Sequence, residues 1–160
     1  MREITILATV GGTGAHGIFQ SWRANGERKV RIIGTDMRPD AYGLFLADKA
    51  YVVPPAYSES YIDKMLDIVK KEKVDIVVPF SPSELLPLAK NKKLFEEHGA
   101  KVLVSDAICL CTAAGVNLAY LGVKLALGEE VDIPEPIYGV RMIRHMGEIY
   151  IDENGHTYTL

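Results

Sequence analysis

The feature that most constrains the fold of this chain is the alternation of short apolar runs with helix-like segments over its first hundred residues. Five runs are rich in β-branched residues and apolar on both faces, which is typical of strands buried between two layers. They are the segments 3–10, 30–34, 49–53, 74–80 and 101–105. Helical spacing or helix-capping residues mark the intervening segments 14–25, 41–48, 58–73 and 82–98. This alternation predicts an α/β fold, a doubly wound parallel sheet with right-handed crossovers.

The pattern changes after residue 105, so we divide the chain into a first domain, 1–105, and a tail, 106–160. Apolar spacing around Leu118, Leu121 and Leu125 predicts a helix that ends at Gly128. The remainder has the composition of two or three strands, and the pair Asn154-Gly155 is a hairpin signal between the last two. We therefore expect a C-terminal helix and a small antiparallel ribbon that pack on the first domain.

Composition and charge exclude several classes of function. The 160 residues are 48% hydrophobic and carry a net charge of −3, without the clustered basic residues of a nucleic-acid-binding protein. No apolar run approaches the roughly 18 residues of a membrane span. The cysteines Cys109 and Cys111 are too close for an ordinary disulfide, and no further cysteine or histidine completes a zinc set. We expect a cytoplasmic protein with no nucleic-acid partner, no membrane and no metal site.

A glycine-rich segment follows the first predicted strand directly. Residues 12–17 spell G-x-G-x-x-G, and Asp36 follows the second strand at about the distance at which an acid accepts hydrogen bonds from a ribose. A small NAD(P)- or ATP-binding Rossmann enzyme that uses this loop is therefore one interpretation. The structural alternative is that the glycines permit a tight turn and close helix packing, while Asp36 caps a loop.

A second polar segment, 79–84, follows the fourth predicted strand with the sequence PFSPSE. Ser81, Ser83 and Glu84 place hydroxyls and a carboxylate at the start of a helix, at the sheet edge where ligands of doubly wound folds bind. The structural alternative is that Ser81 or Ser83 only caps the helix. The sequence lacks the serine-elbow, zinc-protease and Walker A motifs, and we assign no catalytic residue.

Residues 34–105 resemble the pre-ATP-grasp domain of ATP-grasp proteins akin to the large subunit of carbamoyl-phosphate synthase. The landmarks are the acid after the second strand, the run GLFLADKAYVVP at 43–54, and the P-x-S-x-x-E-L turn after the fourth strand. The resemblance implies that the glycine loop lies near the carboxylate or bicarbonate side of a substrate cleft and holds no NAD. It implies a site for a small anionic metabolite, with candidate residues Gly11, Gly12, Thr13, Gly14, Ala15, His16, Asp36, Arg38, Ser81 and Glu84.

Residues 113–151 are similar to the segment that closes the ATP-grasp module in that family. The resemblance implies that the nucleotide-clamping lysines and Mg²⁺ ligands would lie between the two matching parts, where this chain has only 106–112. We therefore expect an internally shortened member that is not catalytic alone and needs no cofactor, since ATP and Mg²⁺ would enter only with a complete ligase module. The expected partners are the metabolite and either a second copy or a separate ATP-grasp subunit. A ligandless structural or interaction remnant is the remaining alternative.

Overall fold

The computed structural model describes residues 2–10, 14–103, 117–132, 134–135, 141–144, 148–151 and 156–158. The strands within these ranges are β1 (Ile4–Thr9), β2 (Val30–Asp36), β3 (Lys49–Val52), β4 (Ile76–Val78), β5 (Lys101–Val102), β6 (Arg141–Arg144), β7 (Glu148–Ile151) and β8 (Thr157–Tyr158). The helices are α1 (Ala15–Arg23), α2 (Tyr42–Leu46), α3 (Tyr61–Glu72), α4 (Pro82–Lys90), α5 (Lys92–Glu97) and α6 (Leu118–Leu127).

The first five strands form one parallel sheet in the order β3-β2-β1-β4-β5. This order confirms the predicted doubly wound α/β fold, because the sheet grows from its centre in two directions and helices cover both faces. β6, β7 and β8 form a separate antiparallel sheet. The Asn154-Gly155 hairpin signal lies outside the described residues, and the packing of the ribbon on the first domain stays a prediction.

Side-chain alternation along the central strands builds two cores, one on each face of the sheet. Ile4, Ile6 and Ala8 of β1 face the core that also holds Phe19 and Trp22 of α1. The intervening Leu7 of β1 belongs to the opposite core, which α3, α4 and α5 cover with side chains such as Met65, Leu88 and Phe95. Burial on both faces explains why these strands are apolar at almost every position.

Helix α6 is fixed to the same face of the sheet as α1. Its residues Tyr120 and Val123 are buried in the α1 core, at 3% and 0% exposure. Asn117 caps α6 by accepting the Tyr120 N–H at 2.9 Å, and its amide donates to the Ser21 carbonyl of α1. Just past the helix, Glu129 accepts two hydrogen bonds, at 2.7 and 2.6 Å, from a buried Arg28. The predicted tail helix is therefore joined to the first domain by burial, a cap and a bidentate ion pair.

The segment 82–98 contains two helices rather than the single helix predicted. Asn91 separates them, with φ −104° and ψ 12°, as the C-cap of α4 and the N-cap of α5. Its side-chain amide donates to the Pro87 carbonyl at 2.9 Å, which offers the chain a local hydrogen bond in place of a further helical one. The helical spacing of apolar residues continues through Asn91, so the sequence pattern predicts one helix where the structure has two.

Lys73, the residue that ends α3, has the left-handed backbone conformation that favours glycine, with φ 52° and ψ 53°. Replacing Lys73 by glycine is expected to raise the free energy of unfolding by about 0.5–1 kcal/mol, because glycine adopts this conformation without strain. Chemical denaturation measures the change. Lys73→Ala is the control, since alanine has the same strain as lysine, and an equal gain in that variant would contradict the argument.

Candidate functional site

A pocket of about 410 Å³ opens at the carboxyl ends of β2, β3 and β4. Its described lining comes from three segments at or just after the ends of these strands: Asp36 to Arg38, Val53 to Ala56, and Phe80 to Glu84. β1 ends between β2 and β4 in the sheet, so the pocket lies beside the point at which the strand order reverses. This is the position at which ligands of doubly wound folds bind.

The pocket wall at the end of β2 carries a carboxylate, Asp36, and a guanidinium, Arg38. Asp36 is buried, at 8% exposure, and its Oδ1 accepts the Arg38 N–H at 2.8 Å, which is the loop-capping role that the sequence allowed. Its Oδ2 makes no hydrogen bond with the described residues. The Arg38 guanidinium donates to Asp40 at 3.2 and 3.0 Å, and because both side chains are exposed this weak pair leaves the guanidinium accessible to a ligand.

The opposite wall is the start of α4. Ser81 is its N-cap, Pro82 occupies the first turn, and Ser81 and Glu84 form a capping box. The hydroxyls of Ser81 and Ser83 lie 2.8 Å apart and hydrogen-bond to each other. The helix-capping role of Ser81 is therefore present, and the same residues also line the pocket.

Glu84 is tied to the end of β1 through a residue that the sequence did not single out. Its Oε2 accepts a very short hydrogen bond from the Thr9 hydroxyl and a second one from the Ser81 N–H at 3.3 Å. The Thr9 oxygen in turn accepts the Phe80 N–H at 2.9 Å. Thr9 thereby joins β1 to the turn between β4 and α4. The sequence marks Thr9 as the end of a buried strand, one residue before the glycine loop, but no spacing rule pairs it with Glu84.

Burial and charge perturb the ionisation of this wall. Burial raises the pKa of Glu84 and the Asp36 carboxylate raises it further, while hydrogen bonds from Thr9 and Ser81 oppose this change. The Tyr61 hydroxyl of α3 is buried beside Glu84 without a hydrogen bond of good geometry, and burial raises the pKa of Tyr61. The described lining of the pocket therefore combines two acids with one arginine that an exposed aspartate pairs.

The structure brings together Asp36, Arg38, Ser81 and Glu84 among the sequence-predicted site residues. Gly14, Ala15 and His16 lie at the start of α1 and are not part of the pocket lining. Ala15 is a core residue, and the His16 ring lies 3.5 Å from the Gln20 amide one turn along the helix. Gly11, Gly12 and Thr13 lie outside the described residues. Sequence reasoning also missed the apolar wall, which Met37, Phe80 and the prolines after β3 provide.

The PylC-like N-terminal domain family matches residues 6–103, a range that holds all of the five-stranded sheet except the first two residues of β1, and all the described residues that line the pocket. The chain belongs to this family. Its PylC-like domain is a pre-ATP-grasp domain, which confirms that part of the resemblance drawn from the sequence; the likeness to the carbamoyl-phosphate synthase large subunit and the likeness of residues 113–151 stay predictions.

The solved structures that are similar to this chain include a biotin carboxylase subunit and a transformylase. The biotin carboxylase subunit of a pyruvate carboxylase is 17% identical, with a TM-score of 0.50 over 62% of this chain and 22% of its own length. Glycinamide-RNase-transformylase T from Mycobacterium tuberculosis is 15% identical, with a TM-score of 0.48 over 71% of this chain and 32% of its own. The chain thus spans about a third or less of these proteins, and such identities concern the fold alone. No curated protein sequence matches the chain.

Two further observations concern the described part of the PylC-like chain only. No helix there is long and apolar enough to cross a membrane. No three histidine, cysteine, aspartate or glutamate side chains are grouped there in a way that could hold a metal ion.

Proposed function

We propose that this chain is the substrate-side domain of an ATP-grasp ligase system, and that it binds a small anionic metabolite in the pocket beyond β2, β3 and β4. The observation that carries the proposal is the convergence of Asp36, Arg38, Ser81 and Glu84 on one pocket of a pre-ATP-grasp domain. The start of α4 supports an anionic ligand, because a helix N-terminus and the Ser83 hydroxyl both favour negative charge.

In this proposal phosphoryl transfer belongs to an ATP-grasp module and not to the chain by itself. Such transfer requires cations that neutralise phosphates and carboxylates that hold Mg²⁺. Among the described lining residues there is one cation, Arg38, which Asp40 pairs. The chain would therefore present the metabolite to a catalytic module that another part of the system provides.

Exposed apolar side chains beside the pocket support docking of that module. Met37 lines the pocket and is 57% exposed, while Tyr57 and Leu86, next to lining segments in the chain, are 89% and 61% exposed. Exposed apolar side chains mark an interaction surface where they form one contiguous patch, which is the arrangement that this proposal requires of Met37, Tyr57 and Leu86. A separate ATP-grasp subunit is the partner that this arrangement would serve, and a second copy of the chain is the alternative.

The proposal is tested by measuring thermal stability with small anions and with nucleotides. A ligand at 100 times its Kd adds about 2.7 kcal/mol, which corresponds to a rise of roughly 5–10 °C in Tm for a domain of this size. We expect such a rise with bicarbonate or a small carboxylate, its loss in Arg38→Ala, and no ATP hydrolysis with Mg²⁺. The exposed Lys93→Ala variant is the matched control for removal of a positive charge.

Other outcomes would favour other functions. A rise in Tm with NAD(H), NADP(H) or ATP, but not with anions, would point to a nucleotide-binding Rossmann enzyme and contradict the proposal. Stability that no metabolite changes would favour a ligandless domain. Enzyme-dependent ATP turnover would contradict the assignment of phosphoryl transfer to a separate module.

A further inference from the structure

We propose that the pocket takes up a proton together with its anion, with Glu84 as the group that receives the proton and Thr9 as the residue that positions Glu84. This inference rests on the proposed function, since it concerns the ionisation of the same pocket. It assigns Thr9 and Glu84 roles beyond the capping of α4.

The two oxygens of Glu84 are in different situations. Oε2 accepts hydrogen bonds from the Thr9 hydroxyl and from the Ser81 N–H, so it is held in place at the base of the pocket. Oε1 makes no hydrogen bond of good geometry with the described residues, and the buried Tyr61 hydroxyl is the polar group near this carboxyl that could donate to it. Protonation of Oε1 would convert this oxygen from an acceptor to a donor without disturbing the contacts of Oε2.

Among the described residues, the groups that act on Glu84 carry no positive charge. Thr9 faces it from β1, Asp36 from the end of β2, Tyr61 from α3, and Ser81 from its own turn. Arg38, the cation of the pocket, is paired with Asp40. An anion that enters beside two ionised carboxylates is repelled by both. Neutralising one of them removes much of this repulsion and supplies an O–H donor for the ligand.

Glu84 is the carboxylate best suited to this role. Burial and the charge of Asp36 already raise its pKa, and a bound anion would raise it further. The Tyr61 hydroxyl is fully buried and lacks a well-formed hydrogen bond, so it can still donate or accept one at this site. Because the complex binds one more proton than the free protein, affinity for the anion should increase as the pH falls. This change is confined to the pH range between the pKa of Glu84 in the free protein and its pKa in the complex. Within that range the affinity should rise by at most about tenfold for each unit by which the pH falls.

Thr9 sets the position of this pH range. Its hydrogen bond stabilises the ionised form of Glu84, so Thr9→Val should raise the pKa of Glu84 and move the binding profile to higher pH. Thr9→Ser retains the hydroxyl and should restore the wild-type profile. A role confined to packing would predict the opposite order, with valine closer to the wild type than serine.

The experiment measures the binding of glycolate and L-lactate to the full chain between about pH 5.5 and 8, a range in which both probes stay ionised. Calorimetry in two buffers of different ionisation enthalpy counts the protons taken up, and NMR titration of the Glu84 carboxyl carbon follows the proton directly in the free protein. We expect uptake approaching one proton, and tighter binding toward low pH. Glu84→Gln, a permanently neutral group that can retain the capping box, should bind tightly with no pH dependence. Glu97→Gln, an exposed control, should behave as the wild type.

Three results would overturn the inference. They are anion binding without proton uptake, a Glu84→Gln variant that binds more weakly than the wild type at every pH, and a Glu84 carboxyl that titrates at or below its ordinary pKa. Any of these alongside measurable anion binding would leave the proposed function intact. If neither probe binds at any pH, and bicarbonate does not change the Tm, the proposed function fails together with the inference.

Discussion

Replacing Glu72 by alanine is expected to lower the free energy of unfolding by about 1–2 kcal/mol at neutral pH, since it removes a buried carboxylate that pairs with two partly exposed cations. The Glu72 side chain is 4% exposed at the end of α3. It accepts hydrogen bonds from Arg31 of β2 at 2.5 Å, from Lys49 of β3 at 2.7 Å, and from the Tyr51 hydroxyl. The carboxylate therefore joins α3 to two strands, and its loss leaves two cations without their counter-ion.

The same network makes this contribution dependent on pH. Hydrogen bonds from Lys49, Tyr51 and Arg31 outweigh burial and lower the pKa of Glu72 to about 2. A lowered pKa means that the stabilisation is fully present above the ordinary value near 4.5 and is lost as the pH falls toward about 2. The difference in unfolding free energy between the wild type and Glu72→Gln should shrink over this range. Equal differences at pH values near 7 and near 3 would contradict the assignment, and the exposed Glu97→Gln is the control.

Gly43→Ala is expected to lower the free energy of unfolding by about 2–3 kcal/mol, because there is no room for a side chain at this point of α2. A Cβ atom on Gly43 would lie 2.5 Å from the Cβ of Val10 and 2.8 Å from its carbonyl oxygen. These atoms belong to backbone or are fixed to it, so relief requires α2 to move away from the end of β1. Because Val10 follows Thr9 directly, this movement should also weaken anion binding in the pocket.

Gly14→Ala is the matched control for this substitution. Gly14 has a negative φ of −74°, and a Cβ atom there would meet nothing within 4 Å. Chemical denaturation should show a change of no more than about 0.5 kcal/mol at Gly14 and a large loss at Gly43. Similar effects at both positions would contradict the steric argument.

The parallel sheet could be predicted from the sequence because the signal for each strand lies within that strand. Each central strand is apolar on both faces, and the predicted 3–10 and 30–34 contain or overlap the observed β1 and β2. Asp36 and Glu84 were identifiable because each follows a strand at the edge where parallel strands end together. Their pocket follows from the same topology.

Contacts between distant residues could not be predicted in this way. The bond from Thr9 to Glu84 joins residues 75 positions apart, and no spacing rule singles out a threonine at the end of a buried strand. Glu72 sits in a run of charged residues, 70–73, whose sequence is typical of a solvated helix end, yet its partners come from two strands. The glycine motif was a weaker guide to the pocket, since Gly14 to His16 serve the start of α1 and do not line it.

Because α6 packs on the sheet, the stretch of chain that the family model matches is shorter than the stretch that completes the core. The family match ends at residue 103, whereas Tyr120 and Val123 complete a core that includes Ile4 and Ile76. A polypeptide cut at the family limit would retain the whole pocket lining but lose both this cover and the counter-ion of the buried Arg28. Transplanting the pocket into another protein therefore requires the chain through Glu129, some 26 residues beyond the point at which sequence similarity ends.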